Sequence, residues 1–324
     1  MTQQQKTVTI FGGTGFVGRN LVWALARAGY AVKVATRVPE RAFFLKPAGD
    51  IGQVVPVLCD YKDPKSIKAV IEGSSAVINC IGILFEKKKK QNFEAVHTDL
   101  PAAIAKTCAK AGVDRLVHIS ALGVDVCASD YAASKIAGEK AVLKNFKGAT
   151  ILRPSIIFGE DDNFFNMFAK LAGILPALPL IGGGETKFQP VFVGDVVDAI
   201  MAAITRPALG KGNPQGKIYA LGGPEVQNFR ALYETMFSYT GKRVMLVPLP
   251  WCVAKMEAFF MEKTMSAPLL TRDQVKALRS DNVVADDALT LDDLGIEATP
   301  MKMILPGYLS RYRKGGRFAD IENA

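Results

Sequence analysis

A glycine-rich turn near the start of the chain has the residue types and spacing needed to bind a phosphorylated cofactor. The turn, Gly12-Gly-Thr-Gly-Phe-Val-Gly18, directly follows an apolar segment. Its glycines allow a tight strand-to-helix turn and close approach of the backbone to a pyrophosphate. The helix that follows offers free N–H groups and the positive end of its dipole. This pattern predicts dinucleotide binding through Gly12, Thr14, Gly15, Phe16, Val17, Gly18 and Arg19.

The end of the second predicted strand indicates which dinucleotide is bound. NAD sites usually have Asp or Glu at this position, where the carboxylate accepts hydrogen bonds from the ribose hydroxyls. This chain has Thr36-Arg37 instead, with Arg41 and Lys46 close in sequence. A guanidinium can pair with a 2′-phosphate that a carboxylate would repel. We therefore predict NADPH rather than NADH, the alternative being that Arg37 is an ordinary surface arginine.

A tyrosine and a lysine form the third chemically useful group. Tyr131 and Lys135 stand four positions apart at the start of a predicted helix, so their side chains share one face. A lysine ammonium beside a tyrosine is expected to lower the phenol pKa and make the hydroxyl a usable acid or base. Lys135 could also hold the nicotinamide ribose, and Ser120, at the end of the preceding strand, could supply a further hydroxyl.

Other residues at strand ends are placed to contact the same cofactor. Asp60 follows the third strand and could accept a hydrogen bond from the adenine amino group. The small segment Asn79-Cys80-Ile81-Gly82 follows the fourth strand and would bring backbone against the middle of the cofactor. Both segments could instead be ordinary loops, but carboxyl ends of parallel strands favour a binding site.

The order of predicted elements places these groups on one sheet edge. Apolar strands alternate with amphipathic helices through the first half of the chain, which indicates an α/β fold of the Rossmann type, with a doubly wound parallel sheet. We predict a nucleotide-binding domain over residues 1–160, with 190–224 returning to it. Residues 161–189 and 225–324 would form a smaller, mostly helical C-terminal lobe, which we expect to be the partner-docking region.

Composition narrows the classes of partner and site. The net charge is +9, but the basic residues are not interleaved with aromatics in one stripe, which argues against nucleic acid. We expect the run Lys87-Lys-Lys-Lys90 to be a solvated loop. The basic tail, Arg311-Tyr-Arg-Lys314 with Arg317, could dock on lipid or on a protein. Two histidines and five scattered cysteines predict no metal site and no disulfide framework, and His118 is expected in the core. No apolar segment approaches the length of a membrane-spanning helix.

Together, the motifs resemble those of the short-chain dehydrogenase/reductase superfamily. The glycine turn, the Asn79 segment, Ser120, Tyr131, Lys135 and Arg153-Pro154-Ser155 occur in its order. The resemblance implies additional cofactor contacts from Ile119, Ser120, Tyr131, Lys135, Pro154, Ser155 and Ile156.

A narrower resemblance extends over nearly the whole chain. The segments Phe11–Arg19, Val77–Gly82, Arg153–Gly159, Gln189–Val196, Asn163–Asn166, Leu270–Val275 and Asp293–Pro300 are similar to those of one atypical branch. That branch comprises the nucleotide-binding accessory subunits of respiratory complex I and their bacterial relatives, in which tightly held NADPH is structural. The resemblance implies a peripheral subunit at the junction of the hydrophilic and membrane arms, with anionic lipid contact through the C-terminal lobe. The missing transit segment suits an α-proteobacterial protein on the cytoplasmic side of the inner membrane.

One departure from the superfamily pattern bears on catalysis. Ser120 lies only eleven positions before Tyr131, closer than the hydroxyl residue usually stands in active relatives. A substrate oxygen would then lack an assured hydroxyl donor, so we expect Tyr131, Lys135 and Ser120 to be vestigial. Two alternatives stay open. One is a freestanding NADPH-dependent reductase or nucleotide-sugar epimerase/dehydratase that uses Tyr131 and Lys135. The other is a binding module that senses the NADP(H) ratio.

Overall fold

A seven-stranded parallel sheet forms the centre of the computed structural model, which describes residues 6–87, 92–207 and 212–316. The spatial order of its strands is β11-β6-β5-β4-β1-β2-β3, so the direction of strand addition reverses between β1 and β4. The sheet strands are β1 (Thr7–Phe11), β2 (Ala31–Thr36), β3 (Val54–Leu58), β4 (Ala76–Asn79), β5 (Arg115–Ile119), β6 (Thr150–Pro154) and β11 (Ile218–Leu221).

Six further strands pair outside this sheet. They are β7 (Ile157–Phe158) with β10 (Val191–Phe192), β9 (Lys187–Phe188) with β12 (Gln227–Asn228), and β8 (Ala177–Ile181) with β13 (Met245–Leu249). The helices are α1 (Phe16–Arg27), α2 (Pro64–Ile71), α3 (Leu100–Ala111), α4 (Asp130–Asn145), α5 (Phe165–Ala172), α6 (Val193–Thr205), α7 (Phe229–Thr240), α8 (Trp251–Thr264), α9 (Arg272–Ala277) and α10 (Met301–Leu309). A 3-10 helix covers Pro39–Ala48, and a π-helix covers Glu94–Asp99.

Apolar side chains on both faces of the sheet explain the layered architecture. Val8 and Ile10 of β1 pack in one buried cluster with residues of α1 and α6, whereas Phe11 packs in a second cluster with residues of α2 and α3. Strands that are buried on both faces have nearly continuous apolar sequences. Parallel strands also need long crossover connections, which helices provide here. The predicted Rossmann-type sheet is therefore confirmed, and so is the buried position of His118, which is 1% exposed.

A separate aromatic cluster holds the C-terminal part together. Phe158, Phe165, Phe229 and Tyr233 are fully or almost fully buried in it. The chain then returns to the main domain, because Leu291 and Leu294 are buried against the sheet cluster. The division into two lobes stays a prediction, and this return lies within the segment assigned to the smaller lobe.

Some sequence features fall outside the described residues. Lys88, Lys89 and Lys90 of the lysine run and Arg317 of the basic tail are among them. Within the described ranges, no helix has both the length and the apolar character to cross a membrane. In the same part of the chain, no three His, Cys, Asp or Glu side chains are grouped closely enough to hold a metal ion.

Candidate dinucleotide and active site

The glycine turn joins β1 to α1 at the point where strand order reverses. Gly12 has a φ of +82°, and a Cβ there would lie 3.0 Å from the carbonyl carbon of Cys80. A Cβ at Gly18 would lie 2.2 Å from the carbonyl oxygen of Gly12, closer than any real contact. The N–H of Gly15 donates to that same oxygen at 3.0 Å. Backbone packing therefore requires glycine at both ends of the turn.

The first turn of α1 presents positive potential to the space above the glycines. Its N-cap is Gly15, which has no side chain to satisfy the first N–H groups, and no acidic residue occupies the first turn. Free N–H groups and the helix dipole at such a terminus bind anions. The guanidinium of Arg19 adds a full charge nearby and pairs with the Asp161 carboxylate at 2.9 Å. This cradle fits a pyrophosphate.

The side chains of Phe16 and Val17 serve packing rather than the cofactor surface. A Cβ at Gly159 would lie 3.2 Å from the tip of the Phe16 ring, so that ring covers the backbone after β7. Val17 packs against the buried sheet cluster. The predicted contacts at these two positions can therefore come from their backbone N–H groups.

At the end of β2 an exposed arginine lies over an aromatic ring. The Arg37 guanidinium carbon is 5.7 Å from the centroid of the Tyr61 ring. The turn that contains Arg37 is fixed by the buried Thr36, whose hydroxyl oxygen accepts the N–H of Val38 at 3.3 Å. Arg41 is also exposed, whereas the Lys46 ammonium lies 4.1 Å from the centroid of the Phe43 ring. Sequence reasoning identified Arg37 but missed Tyr61, whose only signal is that it follows Asp60.

Asp60 lies two residues after β3 and is exposed. One carboxylate oxygen accepts the N–H of Lys62 at 2.9 Å, which fixes the side chain in a short turn. The Asp60 N–H in turn donates to the hydroxyl of Ser66 at 2.9 Å. The carboxylate thus stands at the same sheet edge as Arg37, where an adenine amino group could donate to it.

A buried polar network holds the loop after β4. The Asn79 amide oxygen accepts the N–H of Ile81 at 3.1 Å, and its amide nitrogen lies 3.1 Å from Nδ1 of His118. Nε2 of His97 accepts the N–H of Ile83 at 3.0 Å. Cys80 and Gly82 are fixed between these bonds, and a Cβ at Gly82 would lie 3.6 Å from the Lys135 ammonium nitrogen. Small residues here leave backbone close to the lysine.

His97 was missed by sequence reasoning, although it is one of only two histidines. It lies on the π-helix, is 1% exposed, and its Nδ1 is 2.9 Å from the Ser134 hydroxyl. Because Nε2 accepts a backbone N–H, the proton must reside on Nδ1. Burial, and then the Lys135 ammonium, lower the pKa of His97 to about 3. The ring is therefore a fixed, neutral support for the loop.

Lys135 is buried with its ammonium aimed at the end of β5. The ammonium nitrogen donates to the carbonyl oxygen of Ile119 at 3.0 Å. Burial lowers the pKa of Lys135 to about 8, although the Glu139 carboxylate and the Cys80 thiol act in the opposite direction. The lysine remains a donor positioned at the edge where a ribose would lie.

Tyr131 differs from the chemical expectation. Its ring packs edge-on against His97 and Phe93, with centroid distances of 5.3 and 5.9 Å. Burial raises the pKa of Tyr131 to about 12. The expectation that Lys135 lowers this pKa is wrong, because aromatic surroundings disfavour the phenolate. The lysine ammonium instead donates a hydrogen bond to the Ile119 carbonyl.

Ser120 offers a buried hydroxyl beside the lysine. The residue is 4% exposed, its N–H donates to the Leu152 carbonyl, and its hydroxyl oxygen has no hydrogen-bond partner among the described residues. A buried hydroxyl left without a partner costs about 1–3 kcal/mol, so a ligand oxygen or amide here would be stabilising. The hydroxyl therefore fits a cofactor or substrate atom.

The residues after β6 are engaged by the chain itself. The Ser155 hydroxyl donates to the side-chain oxygen of Asn282 at 2.6 Å, and the Asn282 amide donates to the Leu122 carbonyl at 2.7 Å. The carbonyls of Pro154 and Ile156 accept the N–H groups of Leu122 and Val191, both at 2.9 Å. Ser155 therefore uses its hydroxyl proton within the fold, so in its predicted cofactor contact the hydroxyl oxygen would act only as an acceptor.

Asn282 belongs to a segment that crosses this edge of the sheet, residues 271–284, which we call the strap. At its other end the Asp273 carboxylate accepts the N–H groups of Asp130 and Tyr131 at 2.7 and 2.9 Å. These are the first two amides of α4, so an acidic side chain occupies the position that complements the helix dipole. The strap thus ties the helix carrying Tyr131 to the loops after β5 and β6.

A buried ion pair fixes α4 on the sheet. Arg153 donates to both carboxylate oxygens of Glu139, at 2.9 and 2.7 Å, and to Asp125 at 2.7 Å. The Glu139 side chain is 4% exposed, so its charge depends on this partner. The pair holds the helical face that carries Tyr131 and Lys135.

An open cavity of about 1580 Å³ lies on the outer side of α4, away from the glycine turn. It is lined by residues of the loop before the π-helix, of α4, and of α8 and α9, including Phe93, Asp130 and Asp273. No residue of the glycine turn contributes to it. This cavity therefore does not serve the phosphates that the α1 terminus would bind.

Comparison with known proteins identifies a family and a solved structure that share the fold of this chain. The model of the NAD dependent epimerase/dehydratase family matches residues 8–222. The solved structure of Citrobacter sp. triphenylmethane reductase complexed with NADP(H) superposes with a TM-score of 0.72 at 19% identity, covering 93% of this chain and 99% of that one. This likeness supports the fold.

Sequence relatives extend the match beyond residue 222. NADH dehydrogenase (ubiquinone) 1 alpha subcomplex subunit 9 of Arabidopsis thaliana mitochondria is 40% identical over 323 residues, covering 95% of this chain and 78% of that protein. The protein of the same name from Rattus norvegicus is 35% identical over 308 residues, covering 94% of this chain and 80% of its own. The similarity therefore includes the C-terminal lobe.

Proposed function

We propose that this chain, which belongs to the NAD dependent epimerase/dehydratase family, is an NADPH-binding accessory subunit that stabilises respiratory complex I without turning the nucleotide over. The observation that carries this proposal is the similarity over 95% of the chain to a protein named as a subunit of NADH dehydrogenase. A likeness limited to the nucleotide-binding domain would support only the fold.

The geometry supports a bound dinucleotide. The cradle formed by Gly12, Gly18 and the start of α1 matches the shape and charge of a pyrophosphate. Asp60 stands where an adenine would lie, and Lys135 and Ser120 stand at the opposite end, beside the strand that would face the nicotinamide. When bound, the dinucleotide would supply hydride-transfer chemistry, while the chain supplies binding and orientation.

The end of β2 supports NADPH as the dinucleotide. Arg37 occupies the region where NAD sites carry a carboxylate, and Arg41 lies within the next few residues. A guanidinium can form two parallel hydrogen bonds with a phosphate, and it keeps its charge at every physiological pH.

Three features favour a nucleotide that is held rather than consumed. The raised pKa of Tyr131 disfavours proton transfer by its hydroxyl near neutral pH. The Ser155 hydroxyl is used by Asn282, and Asp273 ties the start of α4 to the strap.

The C-terminal lobe supplies a surface suited to a partner. Met245, Met256 and Phe260 are 69%, 56% and 58% exposed, and Met256 and Phe260 share one face of α8 at a spacing of four residues. We propose that the lobe docks the protein peripherally at the junction of the hydrophilic and membrane arms, on the cytoplasmic side of a bacterial inner membrane. Basic residues of the tail, such as the exposed Lys314, would contact anionic lipid.

Complementation separates this function from a freestanding reductase. A strain lacking the gene is supplied with the wild type, Tyr131→Phe or Gly18→Ala, and assembled NADH:quinone oxidoreductase is measured on native gels. We expect Tyr131→Phe to restore the complex as fully as the wild type and Gly18→Ala to fail. If Tyr131→Phe fails while still folding and binding nucleotide, or if assembly never depends on the chain, the proposal is wrong. The reductase alternative instead predicts NADPH oxidation that disappears in Tyr131→Phe.

A further inference from the structure

We infer that Tyr61 is a positioning residue that sets the preference for a 2′-phosphate by holding the Arg37 guanidinium on its ring. The inference rests on the proposed NADPH site and names the residue that makes it selective. It goes beyond Arg37 itself, because a mobile surface arginine recognises a phosphate less well than one held in place.

Tyr61 is a rigid platform. Its hydroxyl donates to the carbonyl oxygen of Ala35 at 2.9 Å, inside β2, and its ring lies 6.1 Å from the centroid of the buried Phe11. Burial raises the pKa of Tyr61 to about 12, so the hydroxyl stays protonated and the hydrogen bond persists at physiological pH. The ring is thereby fixed to β1 and β2, next to the predicted adenosine site.

Arg37 is held by this ring and not by a carboxylate. Its guanidinium carbon lies 5.7 Å from the ring centroid. Within the described residues, no carboxylate oxygen lies within 4.0 Å of the Arg37 guanidinium nitrogens. A carboxylate partner would compete with an incoming phosphate, whereas a ring face leaves the N–H donors available. The guanidinium is therefore placed with its charge uncompensated.

The effect of this contact is selective between the two dinucleotides. The free energy of a cation–π contact at an exposed site corresponds to about a two- to fivefold change in affinity. NADPH alone carries the phosphate that uses the placed guanidinium. Loss of the ring should therefore weaken NADPH binding and leave NADH binding unchanged.

Fluorescence titration of the intact chain with NADPH and NADH tests the inference on the wild type, Tyr61→Leu, Tyr61→Phe and Arg37→Leu. We expect Tyr61→Leu to raise the Kd for NADPH about threefold with an unchanged Kd for NADH. Tyr61→Phe, which keeps the ring face, should retain the preference to within about twofold. The Kd for NADH also serves as the check that each variant is folded.

Each contrary result has a distinct meaning. An equal rise in both Kd values for Tyr61→Leu would assign Tyr61 a merely structural role and overturn the inference. An unchanged preference in Tyr61→Leu, when Arg37→Leu abolishes it, would also overturn it while leaving the NADPH proposal intact. A wild type with no preference for NADPH would overturn both.

Discussion

Replacing Gly18 by alanine is the sharpest single perturbation of the glycine turn. The added methyl would meet the Gly12 carbonyl oxygen at 2.2 Å and the Gly13 α carbon at 2.6 Å. Both contacts are with backbone, which cannot rotate away as a side chain can. The turn must therefore widen, which moves the start of α1 away from the position that binds phosphate.

Gly18→Ala should lower both the free energy of unfolding, because the turn is overpacked, and the affinity for the nucleotide, because the anion site is displaced. Forcing one methyl into a closely packed position costs roughly 1–3 kcal/mol. A matched control exists in Gly307, which lies exposed within α10 and where an added Cβ meets nothing within 4 Å. Gly307→Ala should stabilise the protein by about 0.5–1 kcal/mol, because alanine favours the helix more than glycine does.

Thermal unfolding and NADPH titration measure both effects in parallel. We expect Gly18→Ala to lower the Tm by roughly 1.5–4.5 °C and to weaken NADPH binding at least about tenfold, the loss expected when 1.4 kcal/mol or more of phosphate contact is removed. Gly307→Ala should bind NADPH as the wild type does. A Gly18→Ala protein with wild-type affinity would refute the assignment of this turn to the pyrophosphate.

Three further results are expected. Because burial disfavours its ammonium form, Lys135 should titrate near pH 8 in lysine-detected NMR of the nucleotide-free protein, and a midpoint above pH 10 would contradict the buried position. Arg153→Met should lower the free energy of unfolding in urea by roughly 3–5 kcal/mol, since it leaves the Glu139 carboxylate buried without its partner. The double variant Arg153→Met/Glu139→Leu should recover most of that loss, and a double variant as unstable as the single one would argue against the pair. Asp273→Ala should cost about 1–2 kcal/mol and speed hydrogen exchange at the first amides of α4, whereas unchanged exchange there would show that Asp273 does not cap the helix.

The sheet was predictable because its signals are local. The strands Thr7–Phe11 and Arg115–Ile119 are short, largely apolar runs bounded by turn residues, and both lie in the parallel sheet that the alternation of strands and helices predicts. The helix Pro64–Ile71 has proline in its first turn and Asp63 as its N-cap, whose carboxylate accepts two backbone N–H groups. Such patterns decide structure within a few residues of sequence.

The pairing of β8 with β13 was not predictable from local pattern. Both strands contain a proline, Pro179 and Pro248, which lowers the strand signal of each segment. The two strands are far apart in sequence and pair in parallel, with Met245 opposite Ala177. Contacts between distant segments determine these two strands. The local sequence pattern therefore predicts a mostly helical lobe over residues 161–189 and 225–324 and gives no sign of this strand pair.

The chemical environment of the site was the least predictable part. The position of Tyr131 and Lys135 on the helix after β5 follows from motif order, but the pKa of Tyr131 depends on its burial against Phe93 and His97 of a distant segment. The engagement of Ser155 depends on Asn282, 127 positions away in sequence. Single-sequence patterns carry no information about such contacts, which is why the strap was missed.

Native mass spectrometry of the assembly purified in mild detergent tests the central claim most directly, because it identifies the protein partners and the released nucleotide in one measurement. The proposal predicts that the chain is recovered with subunits of the respiratory NADH dehydrogenase and releases one NADPH, which is not oxidised while the assembly turns over NADH. Recovery of the chain free of those subunits, or with an empty or NADH-filled site, would contradict it.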